Sequence, residues 1–133
     1  MSGSGSGSGV VIGREILLVD DNPNNLMLFA ALLQANGAKV RSAESGEACL
    51  TTVVDAVPEL ILLDIQMPGI DGVETLKELL KMETIKGKVP VVALTANAMD
   101  GDQKHLLAEG FNGYMAKPIN TRSFVSEVAA YLE

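Results

Sequence analysis

The chain has 133 residues, of which 47% are hydrophobic, so it is long enough for one domain with a buried core and too short for two ordinary domains. Its formal net charge of −7 argues against nucleic-acid binding, because phosphates repel an acidic surface, although solubility alone is a sufficient reason for this charge. A single cysteine and a single histidine exclude an internal disulfide and a zinc site built from nitrogen and sulfur ligands.

The chain starts with an alternating Gly-Ser tract, MSGSGSGSG, which has no side chain to bury. We assign residues 1–12 to a flexible linker or an added tail, and residues 13–133 to the folded domain. No apolar run approaches the ~20 residues that span a bilayer, and the start lacks a charged-then-apolar signal. We therefore expect no membrane span and a cytoplasmic location.

From residue 13 onward, short apolar runs alternate with segments of helical periodicity. The first half predicts a buried strand at 16–19, a helix that ends before Gly37, a more polar edge strand from Val40, a helix over about 45–56 and a buried strand at 60–63. The second half predicts a helix on Val73, Leu76, Leu79 and Leu80, a strand at 89–94, a polar helix at 98–109, a short strand at 113–116 and a last helix on Phe124, Val128 and Leu132.

Residues that favour helix ends support two of these boundaries. Asp21 or Asn22 precedes Pro23 and is typical of an N-cap before a first-turn proline. Ser45 is the N-cap candidate of the second helix.

Five strand–helix units without a hairpin predict parallel strands with helices on both faces of the sheet. The fold class is therefore α/β, a doubly wound three-layer (βα)5 sandwich of the flavodoxin-like type with strand order 2-1-3-4-5. In that order the strand that precedes Asp20 lies beside the strand that ends at Asp64. Ligands of such sheets bind beyond the carboxyl ends of the strands at this point.

Polar residues follow four of the predicted strands at that edge: Asp20 and Asp21, Asp64, Thr95 and Lys117. Each pair of carboxylates about 4 Å apart costs about 1 kcal/mol in water and about 4 kcal/mol at an effective dielectric of 20. Lys117 can neutralise one charge, and a hard divalent cation such as Mg²⁺ can offset the others. Taken singly, the acidic pair could be a helix cap and Asp64 a solvated loop residue; their joint placement favours a site.

Two other kinds of site fit less well. The acidic first turn lacks glycine and would repel a phosphate, which disfavours a dinucleotide or flavin site. A calcium loop counted from Asp20 lacks its glycine and its final glutamate.

The segments ILLVDDNPNN, LILLDIQMPGIDG, VVALTANAM and GYMAKPI resemble response-regulator receiver domains of two-component signalling. The resemblance extends from Gly13 to the C-terminus. It implies that Asp64 is the phosphoacceptor, and that Asp20, Asp21 and Asp64, with the backbone carbonyl of Gln66, bind Mg²⁺ or Mn²⁺.

The same resemblance implies roles for the residues around the phosphoryl group. Thr95 would form a hydrogen bond with it, Lys117 would form an ion pair with it, and Tyr114 would be the rotating switch aromatic. The Lys117–Pro118 bond would be cis, and Gln66 and Asn97 would tune autodephosphorylation. The implied partners are a histidine kinase or histidine phosphotransfer protein as donor and a downstream protein target. Neither nucleic acid nor membrane is expected, and the chain would be a monomer or a phosphorylation-dependent dimer.

Three alternatives remain open. TANAM…GYMAKPI is similar to receivers of hybrid histidine kinases, so the chain could be one part of such a kinase. A metal-dependent aspartyl-phosphate phosphatase would need an acid two residues after Asp64, where Gln66 stands. A receiver-like domain that works without phosphorylation usually lacks an acid or the lysine, and neither is missing. We expect His105 to be an ordinary surface residue and Cys49 to be a core residue.

Overall fold

The computed structural model describes residues 11–67, 69–95, 100–117 and 120–132. Within them, five strands alternate with five helices, as the sequence pattern predicts. The strands are β1 (Glu15–Val19), β2 (Lys39–Ala43), β3 (Leu60–Asp64), β4 (Val91–Thr95) and β5 (Gly113–Ala116). The helices are α1 (Pro23–Ala35), α2 (Gly46–Asp55), α3 (Gly72–Leu80), α4 (Asp100–Glu109) and α5 (Phe124–Leu132).

The strands form one parallel sheet in the order β2-β1-β3-β4-β5, which confirms the predicted doubly wound topology. Every residue of the central strand β3 is buried, whereas the edge strand β2 is buried only at Ala43. The pairing of Val19 with Leu63 fixes the register of β1 against β3. The residues that follow β1 therefore emerge next to the end of β3.

Alternate side chains of the strands pack on opposite faces of the sheet, so the domain has two hydrophobic cores. On one face, Leu18 and Leu62 pack with Phe29 of α1 and Phe124 of α5. On the other face, strand residues pack with side chains of α2, α3 and α4, namely Cys49, Val53, Leu76, Leu79 and Leu106. The three-layer arrangement follows from strands that are apolar on both sides. This packing on both faces fixes the position of the sheet edge at which the polar residues lie.

Side chains cap three helices at their N-termini. Asn22 caps α1 by accepting a hydrogen bond from the Asn24 N–H, and so decides between the two predicted candidates. Ser45 caps α2 as predicted, with its Oγ 3.0 Å from the Ala48 nitrogen. Asp71 caps α3 through a reciprocal capping box with Glu74, a pattern legible in the sequence as D-x-x-E.

One predicted boundary shifts in the region of β4. The strand begins at Val91 and not at Val89, because Val89 donates its backbone N–H to Ile85 and Pro90 has no N–H. Helix α4 spans Asp100–Glu109, and the predicted first two residues of that helix lie outside the described residues.

Residues 11–14, directly before β1, contact the rest of the domain. Val11 is buried against the first of the two cores, whereas Ile12 is 70% exposed. The Gly13 nitrogen donates to the Gly37 carbonyl at 2.8 Å, which ties this segment to the end of α1. The division into a tail at 1–12 and a domain at 13–133 stays a prediction. Among the described residues, no helix combines the length and the apolar character needed to traverse a bilayer.

Candidate functional site

The carboxyl ends of the strands bring the predicted polar residues to one edge of the sheet. Asp20 follows β1, Asp64 ends β3 and Thr95 ends β4, and all three are buried, with 1%, 3% and 1% of their surface exposed. The Asp20 nitrogen donates to the Ala43 carbonyl at 3.1 Å, and the Ile65 nitrogen donates to the Leu94 carbonyl at 3.2 Å. These two hydrogen bonds continue the pairing of the strands beyond their ends, so they fix the backbone that carries Asp20 and Asp64.

Three carboxylates meet at this edge. Asp20, Asp21 and Asp64 each offer an oxygen, and these oxygens lie within 4.8 Å of one another. Asp21 is exposed, so the group opens to solvent on one side. Hard oxygen donors at this spacing are the ligands that Mg²⁺ and other hard divalent cations take in proteins. The three carboxylate oxygens are therefore suitable ligands for such a cation.

Lys117 joins two of the acids. Its Nζ lies 3.3 Å from Asp20 Oδ2 and 3.2 Å from Asp64 Oδ2. Its backbone nitrogen donates to the Thr95 carbonyl at 2.8 Å, which continues the pairing of β5 with β4. One ammonium therefore faces two buried carboxylates and leaves part of their negative charge uncompensated.

Hydrogen bonds orient both buried carboxylates. Asp64 Oδ1 accepts the Gln66 backbone N–H at 3.0 Å. Asp20 Oδ1 accepts the Asn22 backbone N–H at 2.9 Å, and Asp20 Oδ2 accepts the side-chain amide of Asn25 at 3.2 Å. Asn25 is a site residue that the sequence reasoning missed. Its one available signal was an amide in the first turn of the helix after the acidic pair.

The surroundings of Asp64 raise the pKa of its carboxyl above the ordinary value of 3.8. The largest cause is burial, and the charge of Asp20 adds to it. The Gln66 N–H and the Lys117 ammonium act in the opposite direction and offset only part of the increase. At neutral pH, ionised Asp64 is therefore in an environment that disfavours its own charge.

The remaining predicted residues lie as follows. Tyr114 is half-buried on β5 and packs against the second core. Pro118 and Asn97 lie outside the described residues, so the predicted cis bond and the tuning role of Asn97 stay predictions. His105 is exposed and lies 3.5 Å from Glu109, as expected of a surface residue. Cys49 is buried in the second core, which confirms its predicted packing role.

Comparisons with known proteins assign the chain to a family. A sequence model of the response regulator receiver domain matches residues 16–129. The chain belongs to the response-regulator receiver domain family. It is thus a receiver domain of two-component signalling, and its group of three acids is consistent with the phosphoacceptor site of such a domain.

Related proteins include both short regulators and a much longer sensor protein. The polar-differentiation response regulator DivK of Brucella ovis is 35% identical over 119 residues, which cover 90% of this chain and 96% of that protein. The sensor protein GacS of Pseudomonas syringae pv. syringae is 39% identical over 115 residues, which cover 85% of this chain but only 13% of that protein. The chemotaxis response regulator CheY4 of Vibrio cholerae has a similar structure, with a TM-score of 0.85, 25% identity, and coverage of 90% of this chain and 99% of that one.

Proposed function

We propose that Asp64 is the phosphoacceptor of this receiver domain. The observation that carries the proposal is the meeting of Asp64 with Asp20, Asp21 and Lys117 at one sheet edge. Phosphoryl transfer needs a nucleophile in line with the donor and positive charge around the equatorial oxygens. The Asp64 carboxylate is the nucleophile, and its Oδ1 is fixed by the Gln66 N–H. Its Oδ2 attacks the phosphorus of a phosphodonor, and the donor's leaving group departs with the electron pair of the broken bond.

Asp20, Asp21 and Asp64, with the backbone carbonyl of Gln66, would hold Mg²⁺ or Mn²⁺. Such a cation supplies electrostatic stabilisation of the charge on the transferring phosphoryl group. The chain itself contributes three oxygen ligands that lie within 4.8 Å of one another. Asp20 and Asp64 are buried at strand ends, and Asp21 leaves the site open to solvent on one side. The mutual repulsion of these acids is the physical reason for a divalent cation at this position.

Lys117 and Thr95 act on the phosphoryl group after transfer. The Lys117 ammonium already faces the Oδ2 of Asp64 at 3.2 Å, so a short movement of its flexible stem forms an ion pair with a phosphoryl oxygen. Thr95 ends the neighbouring strand and would form a hydrogen bond with a second oxygen. Movement of Thr95 toward the phosphoryl group opens space for Tyr114 and changes the surface around α4 and β5. This is a population shift, and its size is limited by the contacts that differ between the two states.

The proposed donor is a histidine kinase or a histidine phosphotransfer protein, and the output is binding of a downstream protein target. The match to part of the sensor protein GacS supports a second setting, in which this domain is the receiver of a hybrid kinase. Two predictions come from the sequence alone: the domain is a monomer or a phosphorylation-dependent dimer, and its location is cytoplasmic.

Labelling by acetyl phosphate tests the proposal without a cognate kinase. The wild-type domain should incorporate one phosphoryl group in the presence of Mg²⁺, and a chelator should stop the reaction. Asp64→Asn should abolish incorporation because the nucleophile is lost. Asp55→Asn is the matched control, since Asp55 is an exposed acid at the end of α2 and its loss changes net charge equally. Undiminished labelling of Asp64→Asn would show that the acceptor is another residue.

A further inference from the structure

Asn25 is the third residue of α1, half-buried, and directed back toward the end of β1. Its Nδ2 donates to Asp20 Oδ2 at 3.2 Å. The same oxygen lies 3.3 Å from Lys117 Nζ, while the other oxygen of Asp20 accepts the Asn22 N–H. Two donors of different kinds therefore share Asp20 Oδ2, a neutral amide from α1 and an ammonium from the end of β5.

These two donors differ in how firmly they are tied to Asp20. Lys117 is shared with Asp64, whose Oδ2 lies 3.2 Å from Nζ, and its ammonium sits on a flexible four-carbon stem. In the proposed function this ammonium leaves Asp20 when a phosphoryl group arrives on Asp64. Asn25 stays, because the hydrogen bond from the Asn24 nitrogen to Asn22 Oδ1 at 2.9 Å fixes the first turn of α1.

We infer that Asn25 is a positioning residue that holds the Asp20 carboxylate for the divalent cation. Asp20 has only 1% of its surface exposed, so its carboxylate lone pairs need partners within the protein. The Asn25 amide serves as the partner of one of them. Being neutral, the amide does so without removing the negative charge that attracts the cation. Without it, Asp20 Oδ2 would depend on Lys117 alone, and when Lys117 moved only the Asn22 N–H on Oδ1 would still orient the carboxylate. This inference rests on the proposed function, since it assigns the orienting residue of the same site.

The test compares Asn25→Ala with Asn24→Ala, an identical change at the adjacent residue, which is exposed. Alanine has a higher helix propensity than asparagine, so both variants should fold. Amide spectra recorded during a Mg²⁺ titration give the dissociation constant of each protein. Asn25→Ala should bind Mg²⁺ about tenfold more weakly, the loss typical of removing a hydrogen bond to a metal-ligating group. Asn24→Ala should bind it as the wild type does.

A second measurement separates positioning from general damage. The Mg²⁺ concentration that gives half-maximal labelling by acetyl phosphate should rise about tenfold in Asn25→Ala, whereas the rate at saturating Mg²⁺ should stay near that of the wild type. The urea midpoint in chelator should fall only slightly, because the higher helix propensity of alanine offsets part of the lost hydrogen bond to Asp20.

Three results would overturn the inference: wild-type Mg²⁺ affinity in Asn25→Ala, an equal loss in Asn24→Ala, or a lower maximal labelling rate with an unchanged Mg²⁺ dependence. Absence of Mg²⁺ binding by the wild type would overturn the proposed function and this inference with it. Failure of the inference alone is therefore recognisable, because the wild type would then bind Mg²⁺ and become labelled.

Discussion

Replacing Asp64 by asparagine should stabilise the metal-free domain even though it removes the proposed nucleophile. Asp64 is buried beside Asp20 and Asp21, and its carboxyl pKa is raised chiefly by burial. Asparagine keeps the shape and can still accept the Gln66 N–H, whereas it carries no charge to desolvate. The change therefore removes an unfavourable charge and leaves the local hydrogen bond in place.

The distances give the size of the effect. At an effective dielectric of 20, the charge of Asp20 within 4.8 Å costs ionised Asp64 about 3.5 kcal/mol, whereas the charge of exposed Asp21 is screened by solvent. At the same dielectric, attraction to the Lys117 ammonium at 3.2 Å stabilises ionised Asp64 by about 5 kcal/mol. The attraction therefore cancels the repulsion from Asp20, and burial of the carboxylate, the largest cause of its raised pKa, makes ionised Asp64 unfavourable on balance. We expect Asp64→Asn to raise the free energy of unfolding by about 1–2 kcal/mol at pH 7, in the lower part of the range for replacing buried charges by neutral groups.

Urea unfolding in the presence of a chelator measures this difference, with Asp55→Asn as the control for the lost charge. The control should change the free energy of unfolding by no more than a few tenths of a kcal/mol, the size of a helix-end charge effect on an exposed residue. At saturating Mg²⁺, the difference in the free energy of unfolding between Asp64→Asn and the wild type should become smaller or change sign, because the cation binds and stabilises the folded wild type. A neutral or destabilising Asp64→Asn substitution in chelator would refute the electrostatic reasoning.

The sign of the pH dependence follows from the raised pKa. Because folded Asp64 holds its proton to a higher pH than the unfolded chain does, the wild type loses stability as pH rises from 3.8 through the folded pKa. Asp64→Asn has no such group, so its advantage over the wild type should shrink as pH falls from neutral. An advantage that grows on acidification would contradict the direction of the pKa shift.

Three further outcomes follow from the structure. Lys117→Met leaves two buried acids without their cation, so the free energy of unfolding in chelator should fall by about 3 kcal/mol; an unchanged urea midpoint would contradict the bridge. Gly72→Ala should destabilise the domain by about 1–3 kcal/mol, because the alanine Cβ would lie 2.7 Å from the Asp64 carbonyl oxygen. A urea midpoint equal to that of the wild type would show that the loop can shift without cost. Burial raises the pKa of Cys49 to about 12, so iodoacetamide at pH 8 should modify it only in denaturant, as mass spectrometry can show; rapid modification of the folded domain would contradict this.

The fold was predictable because its strands are continuous apolar runs. Leu60 to Leu63 have no polar face, so they require helices on both sides, and Asp64 must emerge where the run ends. The same reasoning at the ends of the other strands brought Asp20, Thr95 and Lys117 to one edge. Strand ends are reliable signals here because a change from apolar to charged residues marks them directly.

What the sequence could not predict depends on side-chain direction and on contacts between distant residues. The amide of Asn25 reaches back to Asp20 because of its place in the first turn of α1, and no periodicity signals such a bond. The sharing of Lys117 between Asp20 and Asp64 depends on distances between the ends of three different strands, β5, β1 and β3. The start of β4 was missed because Val89 is apolar like the strand, although its N–H belongs to the preceding turn.

The central claim is that an acyl phosphate forms on Asp64. Borohydride reduction after labelling with acetyl phosphate and Mg²⁺ converts such an aspartyl phosphate into homoserine, which peptide mass spectrometry can locate in the sequence. We predict homoserine at position 64 alone, and none when a chelator is present during labelling. Homoserine at another aspartate, or at position 64 to the same extent in chelator, would contradict the assignment of this site.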